Sequence, residues 1–376
     1  MRRAAVVILL LTGLLSACTT NEVLVPIGDT PAAPRSLTAA YYAGAVTVEW
    51  ELAPDWSDEA FRVYSRRTSD PSYFMIAEVT SCSDGLCAYQ DWNVSAGQTY
   101  EYYVSAVDPD SGIETATVAS VEVFVPSPVP PPVPDGPLVI ALDGANFLAW
   151  GTDSRGVADF SHYRVYQDAG ATSYLLGETD SEGFLDLLAA NGQTYAYFVT
   201  AIDSDGHESA GSVSASGTPR PDFHGEWVYD FAAQPTVSGF RFEEDEVANP
   251  IRNGTAGDRH FRLETDVNGW WLVPGPGTTI HQTGFATTAL RCGVGADAAC
   301  TDVSVAPTSG YSTLDVELLQ QTSYVLRVIG DDGLLHYGVI RVQLLGSDQN
   351  GDPIMIFDWA YQLQAGNRSL VSPTGG

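Results

Sequence analysis

Apolar and polar residues alternate along most of the chain, as they do in half-buried β-strands. The N-terminal runs are AVTVEWEL at 45–52, FRVYSRR at 61–67, YFMIAEV at 73–79, TYEYYVSAVD at 99–108 and TATVASVEVFV at 115–125. Clusters of Gly, Pro, Asp and Ser separate these runs, and helical periodicity of useful length is absent from the sequence. Short strands at this spacing predict a β-sandwich of about a hundred residues.

One twelve-residue segment occurs twice. GQTYEYYVSAVD at 97–108 recurs as GQTYAYFVTAID at 192–203, and the proline-rich stretch VPSPVPPPVPDGP lies between them. Proline this dense enters neither a sheet nor a helix and forms an extended, semi-rigid spacer. The sequence therefore predicts one sandwich over 31–125, a linker over 126–135 and a second sandwich over 136–218.

Each module carries a tryptophan in an early strand, Trp50 or Trp150, and a GxxYxxxVxA pattern in its penultimate strand. In these features the modules resemble fibronectin type III domains. The resemblance implies that the hydroxyls of Tyr100 and Tyr195 hydrogen bond back to the backbone of the adjoining corner. The repeated segment is then a signature of the fold and not an active site.

After about residue 220 the composition changes, because Trp and Phe become denser and no third GQTY occurs. The last three alternating runs, at 325–330, 336–345 and 353–363, are separated by turn sequences and predict an antiparallel meander. In the final run one face carries Met355, Phe357, Trp359, Tyr361 and Leu363, which favours a core face. The predicted fold class is all-β: two fibronectin type III-like β-sandwiches followed by a C-terminal all-β domain over 221–372.

The N-terminus has the pattern of a lipoprotein leader over 1–18. Arg2 and Arg3 precede an apolar run at 4–15, which is shorter than the about 20 residues of a spanning helix. The run ends in LSAC, so we expect cleavage before Cys18 and acylation of its thiol; the alternative is an ordinary signal peptide with an incidental cysteine. Thr19, where an Asp would retain the protein at the inner membrane, favours the outer membrane or cell surface of a Gram-negative-type bacterium.

The other four cysteines form two local pairs, Cys82 with Cys87 and Cys292 with Cys300. Four cysteines allow three connectivities, and local pairing is the natural choice because each pair lies in its own predicted domain. Neither pair has histidines at zinc-ligand spacing, so structural disulfides are predicted and no metal site is.

The chain carries 47 acidic residues and a net charge of −30 at pH 7, and it contains no lysine. This charge repels phosphate backbones, so nucleic acid is not expected as a partner. The charge is typical of a solubilised surface protein; attraction of cations or basic partners is the alternative. GxSxG and HExxH motifs are absent from the sequence, which favours a non-catalytic protein.

Within residues 323–362, a set of positions resembles the C-terminal half of HmuY-type haem-binding lipoproteins: Tyr324, Arg327, Asp332-Gly333, Tyr337, Ile340 and Tyr361-Gln362. The resemblance implies an outward-facing lipoprotein that holds haem between two axial side chains. The side chains of this chain that could act as axial ligands of the haem iron are His260, His281 and His336, together with His224 and Met355. For His336, a hydrogen-bonded histidine in the core or at a strand edge is the competing interpretation.

The dipeptide Trp270-Trp271 lies beside a PGPG turn in a predicted strand, where one ring must point inward and the other outward. The outward ring is either a contact for sugar or a partner, or a partly covered edge residue. We therefore expect a surface lipoprotein whose fibronectin type III modules space a non-catalytic binding or adhesion domain from the membrane. Haem binding is the first alternative, and a carbohydrate-binding accessory module or enzyme component is the second.

Overall fold

The computed structural model describes residues 30–219, 225–245, 248–286 and 303–370. The chain divides into two compact units, Met1–Ser127 and Pro128–Gly376. Pairs between named strands are all antiparallel in the described ranges, and only two short 3-10 turns interrupt the β-structure there. Cys18, Cys292, Cys300 and His224 lie outside the described residues. Within those residues, no helix has the length and apolar character needed to cross a bilayer.

The first unit is a β-sandwich of eight strands. They are β1 Arg35–Tyr42, β2 Ala45–Glu51, β3 Ala60–Arg67, β4 Phe74–Val79, β5 Leu86–Asp91, β6 Gln98–Val107, β7 Glu114–Ala116 and β8 Val121–Val125. One sheet has the order β1-β2-β5 and the other β4-β3-β6-β7, with β8 also pairing with β6. Two sheets in this order form a fibronectin type III-like sandwich.

The prediction of a single strand over 115–125 is wrong, because this segment forms two strands. Strand β7 pairs with Ser105–Val107 at one end of β6, whereas β8 pairs with Gln98–Tyr102 at the other end. The chain leaves the sheet between them because the two ends of β6 are covered by two different segments. Elsewhere in this unit the alternation predicted burial correctly, since Val46, Val48 and Trp50 all face the core. The predicted disulfide between Cys82 and Cys87 is present.

The second module belongs to the unit Pro128–Gly376. Its strands are β9 Leu138–Leu142, β10 Ala145–Ala149, β11 Phe160–Asp168, β12 Ser173–Thr179, β13 Gly183–Asp186, β14 Tyr195–Asp203 and β15 Ala215–Gly217. They form the sheets β13-β10-β9 and β12-β11-β14-β15, which repeat the strand order of the first module. The predicted corners are present in both modules: Tyr100 Oη accepts a hydrogen bond from the Ser95 amide at 2.9 Å, and Tyr195 Oη accepts one from the Ala190 amide at 3.1 Å.

The C-terminal part is a larger sandwich. Its strands are β16 Gly225–Tyr229, β17 Gly239–Phe240, β18 Ile251–Arg252, β19 Phe261–Asp266, β20 Gly269–Pro274, β21 Thr279–Ala286, β22 Val316–Glu317, β23 Thr322–Ile329, β24 Leu335–Ser347 and β25 Pro353–Gln362. The two sheets have the orders β16-β25-β24-β23-β21 and β18-β17-β19-β20-β22. Adjacent strands β23, β24 and β25 form the predicted meander.

A third tyrosine corner lies in this C-terminal part. Tyr324 Oη accepts a hydrogen bond from the Leu319 amide at 2.8 Å, five residues away, as in both modules. Gln321 takes the left-handed backbone position (φ 56°) that Gly97 (φ 74°) and Gly192 (φ 77°) occupy in the other corners. Strands β19-β20-β22 and β21-β23-β24 also repeat the order of β1-β2-β5 and β3-β6-β7. The C-terminal part therefore contains a third sandwich of the same type. Each of its two sheets is extended by further strands at one edge.

The second module and the C-terminal strands share a hydrophobic cluster. Its buried members are Leu142, Ala145, Phe147, Leu185, Tyr229, Ile354 and Ile356. Gln349, in the loop between β24 and β25, reinforces this contact: its backbone oxygen accepts from Thr179 Oγ1 at 2.8 Å and its Oε1 from the Leu185 amide at 3.0 Å. A Cβ on Gly183 would lie 1.7 Å from the Ser347 carbonyl oxygen, so only glycine fits there.

The main C-terminal core lies between the two larger sheets. Met355, Phe357 and Trp359 are buried in it, and Tyr361 packs against it, as the alternation along the final strand predicted. The prediction for Leu363 was wrong: its side chain is 57% exposed because β25 ends at Gln362.

We expect Tyr324→Phe to lower the free energy of unfolding of this unit by about 1–2 kcal/mol. The change removes the acceptor of the Leu319 amide and the donor to the Glu317 carbonyl oxygen, which lies 2.9 Å from Oη. Urea denaturation measures the loss. Tyr174→Phe, at a ring that is 57% exposed, is the matched control and should change stability by no more than ~0.5 kcal/mol. An equal loss of stability in the two variants would contradict the assignment of a third tyrosine corner.

Candidate functional site

Strand β20 presents one tryptophan to the core and the other to the outer face of its sheet. Trp270 packs against the main hydrophobic cluster. Trp271 is half-buried on the opposite face, where it pairs with Glu264 on β19 and with Glu317 on β22. The structure thus places an indole between two carboxylates in a row that runs across three neighbouring strands.

Asp266 holds this indole in place. Its Oδ1 accepts hydrogen bonds from Trp271 Nε1 at 3.0 Å, from the Asn268 amide at 2.8 Å and from the Gly269 amide at 3.1 Å. The hydrogen bond from Trp271, followed by that from Asn268, holds the pKa of Asp266 below its usual range. The same carboxylate therefore closes the β19–β20 turn and orients the ring.

Arg262 completes the polar surroundings of the ring. Its Nε donates to Glu264 Oε1 at 2.6 Å, and its guanidinium carbon lies 4.2 Å from the centre of the Phe231 ring. An Arg–Glu pair on a half-exposed surface offers both donors and acceptors to a ligand. We call the group Arg262, Glu264, Asp266, Trp271 and Glu317 the Trp271 face.

The chemistry of the Trp271 face suits a ligand with both apolar and hydroxyl-bearing surface. An indole ring provides a large, rigid apolar contact at low conformational cost. Carboxylates accept hydrogen bonds from hydroxyl groups, and a guanidinium donates them. Sugars combine a C–H face with a rim of hydroxyls, which matches this set.

Two of the predicted haem donors, His260 and His336, are buried and hydrogen-bonded inside the fold. His260 is 5% exposed, and its Nδ1 accepts a hydrogen bond from the Phe242 amide at 3.0 Å. Burial lowers its pKa to about 4. His336 is 1% exposed; its Nδ1 lies 3.0 Å from the Gln362 carbonyl oxygen and its Nε2 lies 3.1 Å from Asp332 Oδ1. Burial opposes charge on His336, but these two contacts raise its pKa.

The rings of His260 and His336 do not face each other across a cleft. Phe242 and Tyr361 stack at 5.4 Å, with Phe242 beside His260 and Tyr361 beside His336. His281 is held separately, with Nδ1 3.0 Å from the Gly310 carbonyl oxygen. Axial ligation by His260 or His336 would break these internal hydrogen bonds, so haem binding stays a prediction from resemblance. Over the described residues, no set of three or more His, Cys, Asp or Glu is arranged to hold a metal ion.

Sequence reasoning missed a network that recurs on the outer faces of both modules. Arg62 binds Glu78 and Glu114, and Tyr64 Oη donates to Glu114 at 2.9 Å. The second module repeats these contacts with Arg164, Glu178, Glu208 and Tyr166. The signal was the recurring Arg-Val-Tyr at 62–64 and 164–166. Because the arginine of each network contacts two carboxylates of its own module, we assign the network to sheet stability.

Two acidic turns, DPDSG at 108–112 and DSDG at 203–206, are closed by their own side chains. Asp108 Oδ1 accepts from the Ser111 amide at 2.7 Å, and Asp203 Oδ1 accepts from the Asp205 and His207 amides at 2.9 and 2.7 Å. These contacts are those of tight Asx-type turns, in which Asp and Gly are the usual residues.

Comparison with known proteins finds a partial similarity to one curated protein. No family model matches. The chain is 26% identical over 254 residues to exoglucanase B of Cellulomonas fimi; the match covers 64% of this chain and 21% of that protein. The chain therefore spans about a fifth of the length of this curated relative.

Two solved structures show limited similarity. The FN1–FN3 domains of chicken CNTN1 align at a TM-score of 0.38 and 15% identity, covering 51% of this chain and 68% of theirs. A chain described as a myokine structure aligns at a TM-score of 0.23 and 22% identity, covering 26% of this chain and 100% of its own. The fibronectin type III-like fold follows from the strand order and the tyrosine corners described above.

Proposed function

We propose that this protein is an exported, non-catalytic carbohydrate-binding protein and that the Trp271 face contacts the sugar. The observation that carries the proposal is a half-buried indole on the outer face of its sheet, fixed by Asp266 and flanked by Glu264 and Glu317 on neighbouring strands. A fixed aromatic ring needs no ordering on binding, which favours affinity.

Two further facts support a sugar ligand. Arg262 neutralises Glu264, so the face offers hydrogen-bonding groups and keeps only the charges of Asp266 and Glu317 in excess. The similarity to a protein named exoglucanase B adds a polysaccharide context. Because the chain covers 21% of that protein, the enzyme's activity is not carried over.

The remaining parts fit a surface protein. Acylation of Cys18 would anchor the chain in the outer membrane or at the cell surface. The cluster shared by the second module and the C-terminal strands would make them one binding head. The first module and the proline-rich linker would space this head from the membrane.

Retention on polysaccharides tests the proposal. The full-length protein is mixed with cellulose, chitin, peptidoglycan and mixed-linkage β-glucan, and the bound fraction is measured against polysaccharide concentration. We expect saturable binding to at least one of them and a loss of affinity of about tenfold or more in Trp271→Ala, equivalent to ~1.4 kcal/mol. Trp271→Phe, which keeps a ring, should retain more affinity than Trp271→Ala.

The matched control is Trp92→Ala, because this ring is 65% exposed and lies in the first module. It should bind as wild type does. Absence of binding to all four polysaccharides, or equal binding by Trp271→Ala and wild type, would overturn the proposal. Release of soluble sugar during the incubation would contradict the non-catalytic assignment.

A further inference from the structure

We infer that the Trp271 face binds an internal segment of a neutral polysaccharide chain, laid across the strands, and not a chain end. This inference rests on the proposed function and specifies its ligand. It depends on three features of the face: the direction of the row, its open end and its balance of charge.

The row runs perpendicular to the strands. Glu264 pairs with Trp271 and Trp271 pairs with Glu317, so the three side chains occupy the same level on β19, β20 and β22. Neighbouring strands lie ~4.8 Å apart, which makes the row about 10 Å long. A sugar stacked on Trp271 therefore has a carboxylate on either side. These carboxylates can accept hydrogen bonds from the hydroxyl groups of the preceding and following sugar units.

The row is open where Glu317 lies. Among the described residues, β22 is the outermost strand of its sheet, and the Glu317 side chain is exposed. A polymer can therefore continue past the edge of the sheet. On the other side, the Arg262–Glu264 pair offers a donor and an acceptor to the next unit. A site that recognises a chain end needs a wall that stops the chain, and the part of the chain that the structure describes supplies none beside β22.

The charge of the face selects a neutral ligand. Of its three carboxylates, Glu264 is paired with Arg262, Asp266 is occupied by Trp271 and the turn amides, and Glu317 is exposed. The whole chain carries a net charge of −30. Polysaccharides that bear phosphate or carboxylate groups are therefore repelled, whereas hydroxyl-rich neutral chains are not.

The test is isothermal titration of the full-length protein with cello-oligosaccharides and chito-oligosaccharides of one to six units, each also with its reducing end reduced to the alditol. In the series that binds, we expect affinity to rise at least tenfold from one unit to three and then to level off. Reduction of the end should change the affinity of the longer ligands by less than twofold.

Variants locate the flanking contacts. Glu264→Gln and Glu317→Gln should each weaken binding of the three-unit ligand at least threefold, while Glu122→Gln, at an exposed strand position of the first module, should have no effect. Thermal melting confirms that each variant is folded. Equal affinity for one and three units, or loss of binding on end reduction, overturns the internal-segment inference but leaves carbohydrate binding intact. Absence of binding to every polysaccharide overturns the proposed function itself.

Discussion

Replacing Phe240 with alanine is expected to lower the free energy of unfolding of the unit Pro128–Gly376 by about 3–5 kcal/mol. Phe240 is fully buried, and its ring lies 5.0–5.4 Å from the rings of Phe242, Phe261, Phe357 and Trp359. These rings come from both sheets of the C-terminal sandwich, so truncation leaves a cavity that neither sheet can close alone. A loss of this size is a large fraction of the stability of an ordinary domain.

Denaturation followed by tryptophan fluorescence and circular dichroism measures this loss. Phe124→Ala is the control, since that ring is 57% exposed in the first unit; it should change stability by no more than ~0.5 kcal/mol. The unfolding of Met1–Ser127 serves as an internal reference in the Phe240→Ala protein. A loss below 1 kcal/mol for Phe240→Ala would show that this aromatic cluster does not hold the two sheets together.

The second large effect is a loss of stability on acidification, caused by His260. Burial in the core lowers its pKa to about 4, below the ordinary value of about 6.5, so folding favours the neutral ring. Its contribution is therefore fully present above about pH 6.5 and is lost as the pH falls toward about 4. The difference of about 2.5 pH units corresponds to ~3 kcal/mol.

The variant His260→Asn separates the contribution of His260 to this pH dependence from the contributions of other titrating groups. An amide oxygen can replace Nδ1 as the acceptor of the Phe242 amide, but it carries no proton in this pH range. We expect the variant to be less stable than wild type at pH 7 and to lose less further stability between pH 6.5 and 4. Urea denaturation at each pH gives the free energy of unfolding, and hence the slope of stability against pH, for wild type and for the variant. Parallel slopes for the two proteins would exclude His260 as the source.

His336 should act in the opposite direction. The Gln362 carbonyl and the Asp332 carboxylate outweigh burial and raise its pKa, so folding favours the charged ring. That contribution is present below the ordinary histidine pKa and is lost as the pH rises through the raised value. His336→Asn should therefore cost more stability at pH 5 than at pH 8, the reverse of His260→Asn.

The strands of the two modules could be predicted because their signals are local. Alternation places Val46, Val48 and Trp50 on one face, and the GQTY segments require a glycine with positive φ followed by the corner tyrosine. The break between β7 and β8 could not be predicted, because it depends on which part of β6 each segment covers. That choice is made by tertiary pairing.

The third corner escaped sequence reasoning for a similar reason. Gln321 adopts φ 56° although it has a side chain, and this removes the glycine that marks the other two corners. What remains is a tyrosine five residues after the amide it binds, which is too short a pattern to find without the strand order. The tertiary contacts of β22 and β23 impose the backbone that the local sequence does not favour.

For the candidate site, alternation predicted that one of Trp270 and Trp271 points inward, but it could not say which. The register of β20 against β19 decides this, because Leu263 and Leu272 pair and both face the core. The partners Asp266 and Arg262 depend on the β19–β20 turn and on Phe231 from another strand end. The histidines proved equally dependent on context, since the hydrogen-bond partners of His260 and His336 lie on distant segments of the chain.

The most direct test of the central claim is fluorine NMR of the full-length protein labelled with 5-fluorotryptophan, titrated with the oligosaccharide of highest affinity. The chain has eight tryptophans, and Trp271→Phe identifies the resonance of interest by its loss. We predict that the Trp271 resonance shifts saturably while those of the buried residues Trp50, Trp150 and Trp359 stay unchanged. A saturable shift at another tryptophan with none at Trp271 would contradict the account.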